Sequence, residues 1–122
     1  MKIKIKGSEI EAIAELYNTK TARAIYEILP TKGIANIWGD EVYFSIPINL
    51  KSENGKEEVE TGDIAYWPPG KAFCIFFSKT PVSTNEKPKA ASPVNVFGKI
   101  RNDLHTFKNV KDGETIVLET VN

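Results

Sequence analysis

Glutamine is absent from this 122-residue sequence, cysteine and histidine occur once each as Cys74 and His105, and the only arginines are Arg23 and Arg101. A single cysteine cannot close an intrachain disulfide, and a single histidine cannot supply the usual His/Cys cluster for zinc, so no metal or cofactor is expected. Charge of one sign is also missing: 16 Lys and Arg balance 16 Asp and Glu. No global positive field is available to gather phosphates, which argues against nucleic acid as a partner. Long hydrophobic runs are lacking as well. The longest strongly apolar stretch, residues 72–77, is far short of the roughly 20 residues that span a bilayer. The opening Met1-Lys2-Ile3-Lys4-Ile5-Lys6 alternates charge and does not form a signal peptide's apolar run. A soluble cytoplasmic protein without a membrane partner is therefore expected. What is present is enough for one core and one domain over residues 1–122, with 41% hydrophobic and 26% charged residues.

Along the chain, Ile3 and Ile5 alternate with lysines up to Gly7-Ser8, as in a strand. Residues 9–17 are ambiguous. Ile10, Ala12, Ala14 and Leu16 alternate like a strand, whereas Ile10, Ile13 and Tyr17 fit a helix that Ser8 and Glu11 would cap, and propensity slightly favours the helix. The next segment is clearer: after Asn18-Thr19, residues Ala22, Ile25, Tyr26 and Leu29 share a helical face until Pro30 stops it. Beyond Lys32-Gly33 the pattern is that of an antiparallel sheet, with strands at 34–38 and 41–46 around the turn pair Gly39-Asp40. Residues 51–63 read as a solvated acidic loop with a hairpin tip at Asn54-Gly55. Residues 64–67 and 72–77 look like central strands around Pro68-Pro69-Gly70. Residues 79–93 contain three prolines and read as an extended loop, followed by a strand at 94–100, a short helical turn at 104–110 and a last strand at 115–121. Many short strands with one helix predict a mainly β, barrel-like or sandwich domain.

Familiar catalytic templates are missing. No GxxxxGK[ST] or GxGxxG occurs. Cys74 lies among Phe73, Ile75, Phe76 and Phe77, surroundings that bury a thiol and keep it unreactive. His105 sits in a polar segment and reads as a surface residue. Asp40 and Glu41 are adjacent on a strand, hence on opposite faces, and form no ready acid/base pair, while Asp63 would need a partner from elsewhere in the fold. Aromatics carry more signal. Most must be core, yet Tyr66-Trp67-Pro68-Pro69-Gly70 sets two amphipathic rings before a rigid corner, an arrangement suited to framing a pocket.

Three blocks are distinctive: Trp38-Gly39-Asp40-Glu41-Val42-Tyr43-Phe44, the run from Gly62-Asp63 through Tyr66-Trp67-Pro68-Pro69-Gly70 to Phe77, and Val94-Asn95-Val96-Phe97-Gly98-Lys99-Ile100. With them the chain closely resembles, over nearly its whole length, the small prokaryotic cyclophilin-like proteins, an uncharacterised family named for its fold. The resemblance implies a closed β-barrel of about eight strands with one main α-helix covering an open end. It also implies that residues 9–17 are mainly the second strand of an N-terminal hairpin, against local propensity. Active cyclophilins carry an arginine just before a Pro-Gly turn and a glutamine just after it. Here the comparable strands read Ala65-Tyr66-Trp67-Pro68-Pro69-Gly70 and Lys71-Ala72-Phe73-Cys74-Ile75, with neither residue. Lys71 does not reproduce a planar guanidinium fork.

The expected function is therefore a small-ligand or peptide-binding module without conventional prolyl isomerase activity. The residues expected around its cleft are Trp38, Tyr43, Tyr66, Trp67, Phe76 and Phe97, with strand alternation turning some of them elsewhere. The alternatives are a prolyl isomerase with a non-standard active site and an interaction or oligomerisation domain that uses the 79–93 loop.

Overall fold

The computed structural model describes residues 1–121. Ten strands and one α-helix follow one another as β1 (Lys2–Lys6), β2 (Glu11–Leu16), α1 (Lys20–Glu27), β3 (Thr31–Ile34), β4 (Asn36–Trp38), β5 (Glu41–Ser45), β6 (Lys56–Glu58), β7 (Asp63–Trp67), β8 (Ala72–Phe76), β9 (Lys89–Ile100) and β10 (Thr115–Thr120). Short 3₁₀ turns occupy Pro68–Gly70 and His105–Asn109. The class is mainly β with a single α-helix, as expected. All strand pairs are antiparallel, and the hydrogen-bonded order is β3-β10-β1-β2-β9-β7-β8-β5-β4, with β6 attached to β9. Among the described residues no helix is long and apolar enough to cross a membrane.

Two expectations about the barrel change. There are ten strands rather than about eight, and the hydrogen-bond ladder is not closed, because β3 and β4 end the order without pairing to each other. Side chains make the closure instead. A methyl group at Gly33 of β3 would lie 2.5 Å from the Phe44 ring of β5, so the absent Cβ lets the β3 edge press onto β5 near the other end of the order. Inside, Phe44 stacks on Phe73 at 5.2 Å, and Phe73 meets Phe97 edge-on at 5.4 Å. Ile3, Ile5, Ala12, Ala14, Ile64, Tyr66, Ile75, Ile116 and Leu118 belong to the same interior core.

Local chemistry explains most elements. Within residues 9–17, Glu11–Leu16 form a strand because Ala12, Ala14 and Leu16 alternate into the core while β1 and β9 take up the backbone hydrogen bonds on either side. Helix α1 starts where Thr19 Oγ1 accepts from Ala22 N at 3.0 Å, and it buries Thr21, Ala22 and Ile25. Strand β8 is buried at all five positions, which accounts for its unbroken apolar run. Phe73 and Ile75 enter the interior core. Ala72, Cys74 and Phe76 join a second, outer cluster with Val59, Ala65, Ala90 and Val94.

That outer cluster exists because β9 begins at Lys89, inside the segment expected to be loop up to Pro93. Its first half pairs only with β6, with Lys56 opposite Val94 and Glu58 opposite Lys89, whereas its second half pairs with β7 and β2. The first half and β6 thus form an arm over the outer sheet face. Asn54 has a positive φ, but no hairpin forms there, since β6 pairs with β9 and not with a preceding strand. The strand expected at 34–38 is broken at Ala35 into β3 and β4.

Candidate functional site

Between the arm and the outer sheet face lies a pocket of about 220 Å³, lined by Trp38, Glu41, Tyr43, Trp67, Ala90, Ala91 and Val94. Its geometry follows from strand register. Trp38 and Glu41 are opposite partners across the tight β4–β5 turn, and Tyr43 lies two residues beyond Glu41 on the same face. Trp67 comes from β7, on the far side of β8. Between the strands carrying Tyr43 and Trp67, β8 presents the small Ala72 and Cys74 on this face. The arm closes the rim with Ala90 and Ala91, and their short side chains leave the space open.

Both tryptophans are held in place. Trp67 Nε1 donates to Ser92 Oγ on the arm at 2.7 Å. Its ring also lies across the following turn, so closely that a Cβ at Gly70 would sit 2.7 Å from Trp67 Cε3. Trp38 precedes Gly39, which has a φ of +60°. Only a glycine suits that position, since a side chain there would also strike Pro81 of the 77–88 loop. Backbone bonds from Asp40 N to Lys79 O at 2.9 Å and from Phe77 N to Asp40 O at 3.0 Å fasten the same loop to the turn.

Glu41 is the unusual member. It is 5% exposed, and no ion pair among the described residues involves it. Burial pushes its carboxyl up to about 7, against a smaller downward pull from the adjacent Cys74 thiol. Cys74 itself is fully enclosed. Its thiol is pushed well above the usual range by burial, and Glu41 raises it further, which leaves it a poor nucleophile. Asp63 is also buried, with its carboxyl raised mainly by burial, but its Oδ2 accepts from Glu60 N at 2.8 Å. It stands on β7, two strands from Glu41. Two strand spacings are roughly 10 Å, with Phe76 on β8 between them, so the two carboxyls make no acid/base pair.

Of the aromatic residues expected around the cleft, Trp38, Tyr43 and Trp67 line this pocket together. Phe76 lies in the outer cluster but outside the lining. Tyr66 and Phe97 point into the barrel interior, because strand alternation turns them to the other face. Tyr66 is structural there. Its hydroxyl donates to Ile48 O at 2.7 Å and accepts from Leu50 N at 3.1 Å, tying the 46–55 segment to the barrel. Glu41, Ala90, Ala91 and Val94 are pocket residues beyond those expected. Period-two spacing from Tyr43 is the sequence signal for Glu41, whereas the alanines lie in a stretch that reads as loop.

A second, more polar depression of about 400 Å³ is lined by Thr61, Phe77, Ser78, Asn102, Asp103, Leu104, His105 and Lys108. His105 is exposed there. The Asp103 carboxylate accepts from the His105 backbone N–H at 2.9 Å, a local bond two residues along the chain. Among the described residues no group of three or more His, Cys, Asp or Glu side chains converges as a metal site would.

A family model described as Cyclophilin-like matches residues 1–119. The chain belongs to this family. Among solved structures, this cyclophilin-like chain is similar to the hypothetical protein AF2241 from Archaeoglobus fulgidus, known from a solution structure, at 46% identity and a TM-score of 0.84. The similarity covers 98% of this chain and 93% of the archaeal one. No curated protein matches. Around the Pro-Gly turn, Tyr66 on the preceding strand serves the core, and Lys71 after the turn is exposed with a φ of 49°. No arginine lines the pocket.

Proposed function

We propose that this cyclophilin-like protein is a binding module whose ligand seat is the outer-face pocket, taking a small molecule or a short stretch of extended peptide. The supporting observation is Glu41: a carboxyl buried without an ionic partner, facing an aromatic-walled pocket. Such a group is costly to maintain in a purely structural face. Concave sites of this kind, mostly apolar with few polar groups, are the usual seats for ligands. A conventional prolyl isomerase would need an arginine to stabilise the twisted amide, and neither Arg23 on α1 nor Arg101 after β9 belongs to the pocket. The single buried thiol suits a cytoplasmic setting, which forms part of the proposal.

Titration of a metabolite and peptide library, monitored by calorimetry, tests this reading. Ligands should give saturable changes that Ala91→Trp abolishes, because the exposed rim residue would then fill the pocket while the fold stays intact. Saturable binding that Ala91→Trp leaves unchanged places the ligand elsewhere and overturns the reading. An exchange assay on Xaa-Pro peptides should show only the uncatalysed rate, with relaxation over roughly tens to hundreds of seconds. Catalysed exchange that Ala91→Trp removes would make the pocket an isomerase site instead.

A further inference from the structure

We propose that the outer-face pocket takes a small free organic cation of the alkylammonium class, seated against Trp38, Tyr43 and Trp67 with Glu41 as its counter-ion. The inference rests on the pocket being a ligand seat and adds the chemical class of the ligand. Four ion pairs occur among the described residues: Lys6–Glu119, Lys79–Glu86, Lys87–Glu60 and Arg101–Glu15. All lie on the surface, and none reaches Glu41. A neutral guest would leave this carboxylate without a counter-ion, and an anion would be repelled by it. A cation meets it with opposite charge at short range in surroundings of low dielectric.

The walls favour the same class. The faces of Trp and Tyr attract cations, most strongly where water is displaced, and this pocket has three such rings. Trp67 Nε1 is already committed to Ser92 Oγ, so that indole offers its ring and no free donor. A guanidinium carries five N–H donors, and one carboxyl with a single phenol oxygen would leave several unmet. A methylated ammonium has few donors or none to satisfy. Size agrees as well: about 220 Å³ is below the roughly 300–1,000 Å³ of drug-sized sites, and suits a compact headgroup rather than a long chain.

The only two tryptophans in the chain, Trp38 and Trp67, both line the pocket, so selectively excited tryptophan fluorescence reports on this site. Choline and its uncharged carbon isostere 3,3-dimethylbutan-1-ol are titrated in parallel, with calorimetry as a second readout. Choline should bind at least about tenfold more tightly. Glu41→Gln should bring the two probes to within about twofold of each other, with circular dichroism confirming the fold. Should that variant fail to fold, Trp38→Leu, at a half-buried position, should weaken choline by at least about fivefold while Trp67 still reports. Equal affinity for the two probes overturns the cation assignment and leaves the pocket as an apolar ligand seat. Silence from both probes, with a saturable response to an uncharged library compound, also overturns the cation assignment alone. Silence from every compound overturns the pocket reading as well. A capped Nε-trimethyl-lysine amide that binds more tightly than choline overturns the free-cation assignment in favour of a peptide side chain.

Discussion

At the residue scale, Glu41 links folding to pH in the direction opposite to most carboxylates. Its carboxyl ordinarily titrates at 4.5 and is raised to about 7 in the folded protein, so between these values the native state holds a proton that the unfolded chain releases. Stability from this group is therefore highest below pH 4.5, falls as pH rises towards 7 and levels off above it. A shift of this size corresponds to at most about 3 kcal/mol. Chemical denaturation of the wild type and Glu41→Gln across pH 4 to 8 should show the variant gaining about 2–3 kcal/mol relative to the wild type over that range. A pH-independent difference between the two would refute the linkage. Legibility at this scale is uneven. Cys74 reads as core from its phenylalanine neighbours, but Glu41 faces a pocket walled by residues 90, 91 and 94 of the arm, which no local pattern around Glu41 announces.

At the element scale, α1 is capped from two directions. Thr19 supplies the local cap, and Glu53 reaches over from the 46–55 segment to accept from Lys20 N at 3.2 Å, Thr21 N at 2.9 Å and Thr21 Oγ1 at 2.7 Å. Asn95, fully buried on β9, holds that segment in turn by accepting from Glu53 N and donating to Lys51 O and Thr21 Oγ1. The hydrogen bonds from Thr21 hold the Glu53 carboxyl below its usual range. Its stabilisation is therefore present above that range and lost as pH falls through it. Glu53→Ala should cost about 1–2 kcal/mol in urea unfolding at pH 7, and the cost should shrink on acidification to pH 3. An equal cost at both values would show that the loss is one of packing. The helix itself is legible because Thr19 and the Ala22, Ile25 spacing are local signals. Glu53 is hidden in a run that reads as a solvated acidic loop, since its partner Thr21 lies 32 residues away. The start of β9 is hidden for a similar reason: Ser92-Pro93 looks like loop, yet a proline is tolerated where β9 has β6 on one side only.

At the scale of the whole molecule, curling depends on contact between the two ends of the sheet order. Gly33→Val should drive side-chain atoms into Phe44 and cost about 1–3 kcal/mol, the usual penalty for overpacking. Thermal unfolding would measure that cost, and hydrogen exchange should show the β3–β10 ladder loosening before the β7–β8 ladder. A variant as stable as the wild type would mean that the seam is not held by close packing. Turn pairs and alternation make the mainly β class and most strand positions legible. They do not reveal the seam, because a glycine pressed on a ring from the far side of the sheet order leaves no periodic mark; the strand pattern leaves barrel and sandwich both open, and the resemblance to a barrel family is what favours closure.

The seam also bears on solubility. A curled sheet without a closed ladder keeps two free edges at its seam, each able to recruit a strand from another molecule. Here β3 and β4 are four and three residues long, are separated only by Ala35, and carry exposed Ile34 (58%) and Ile37 (39%). So short a pair of edges offers an incoming chain few backbone groups in a row, and Lys32 and Asn36 add polar side chains among them. At the seam the hazard is thus confined to one brief stretch of chain, and the outer edge of the arm is guarded differently, by the three charged residues of β6.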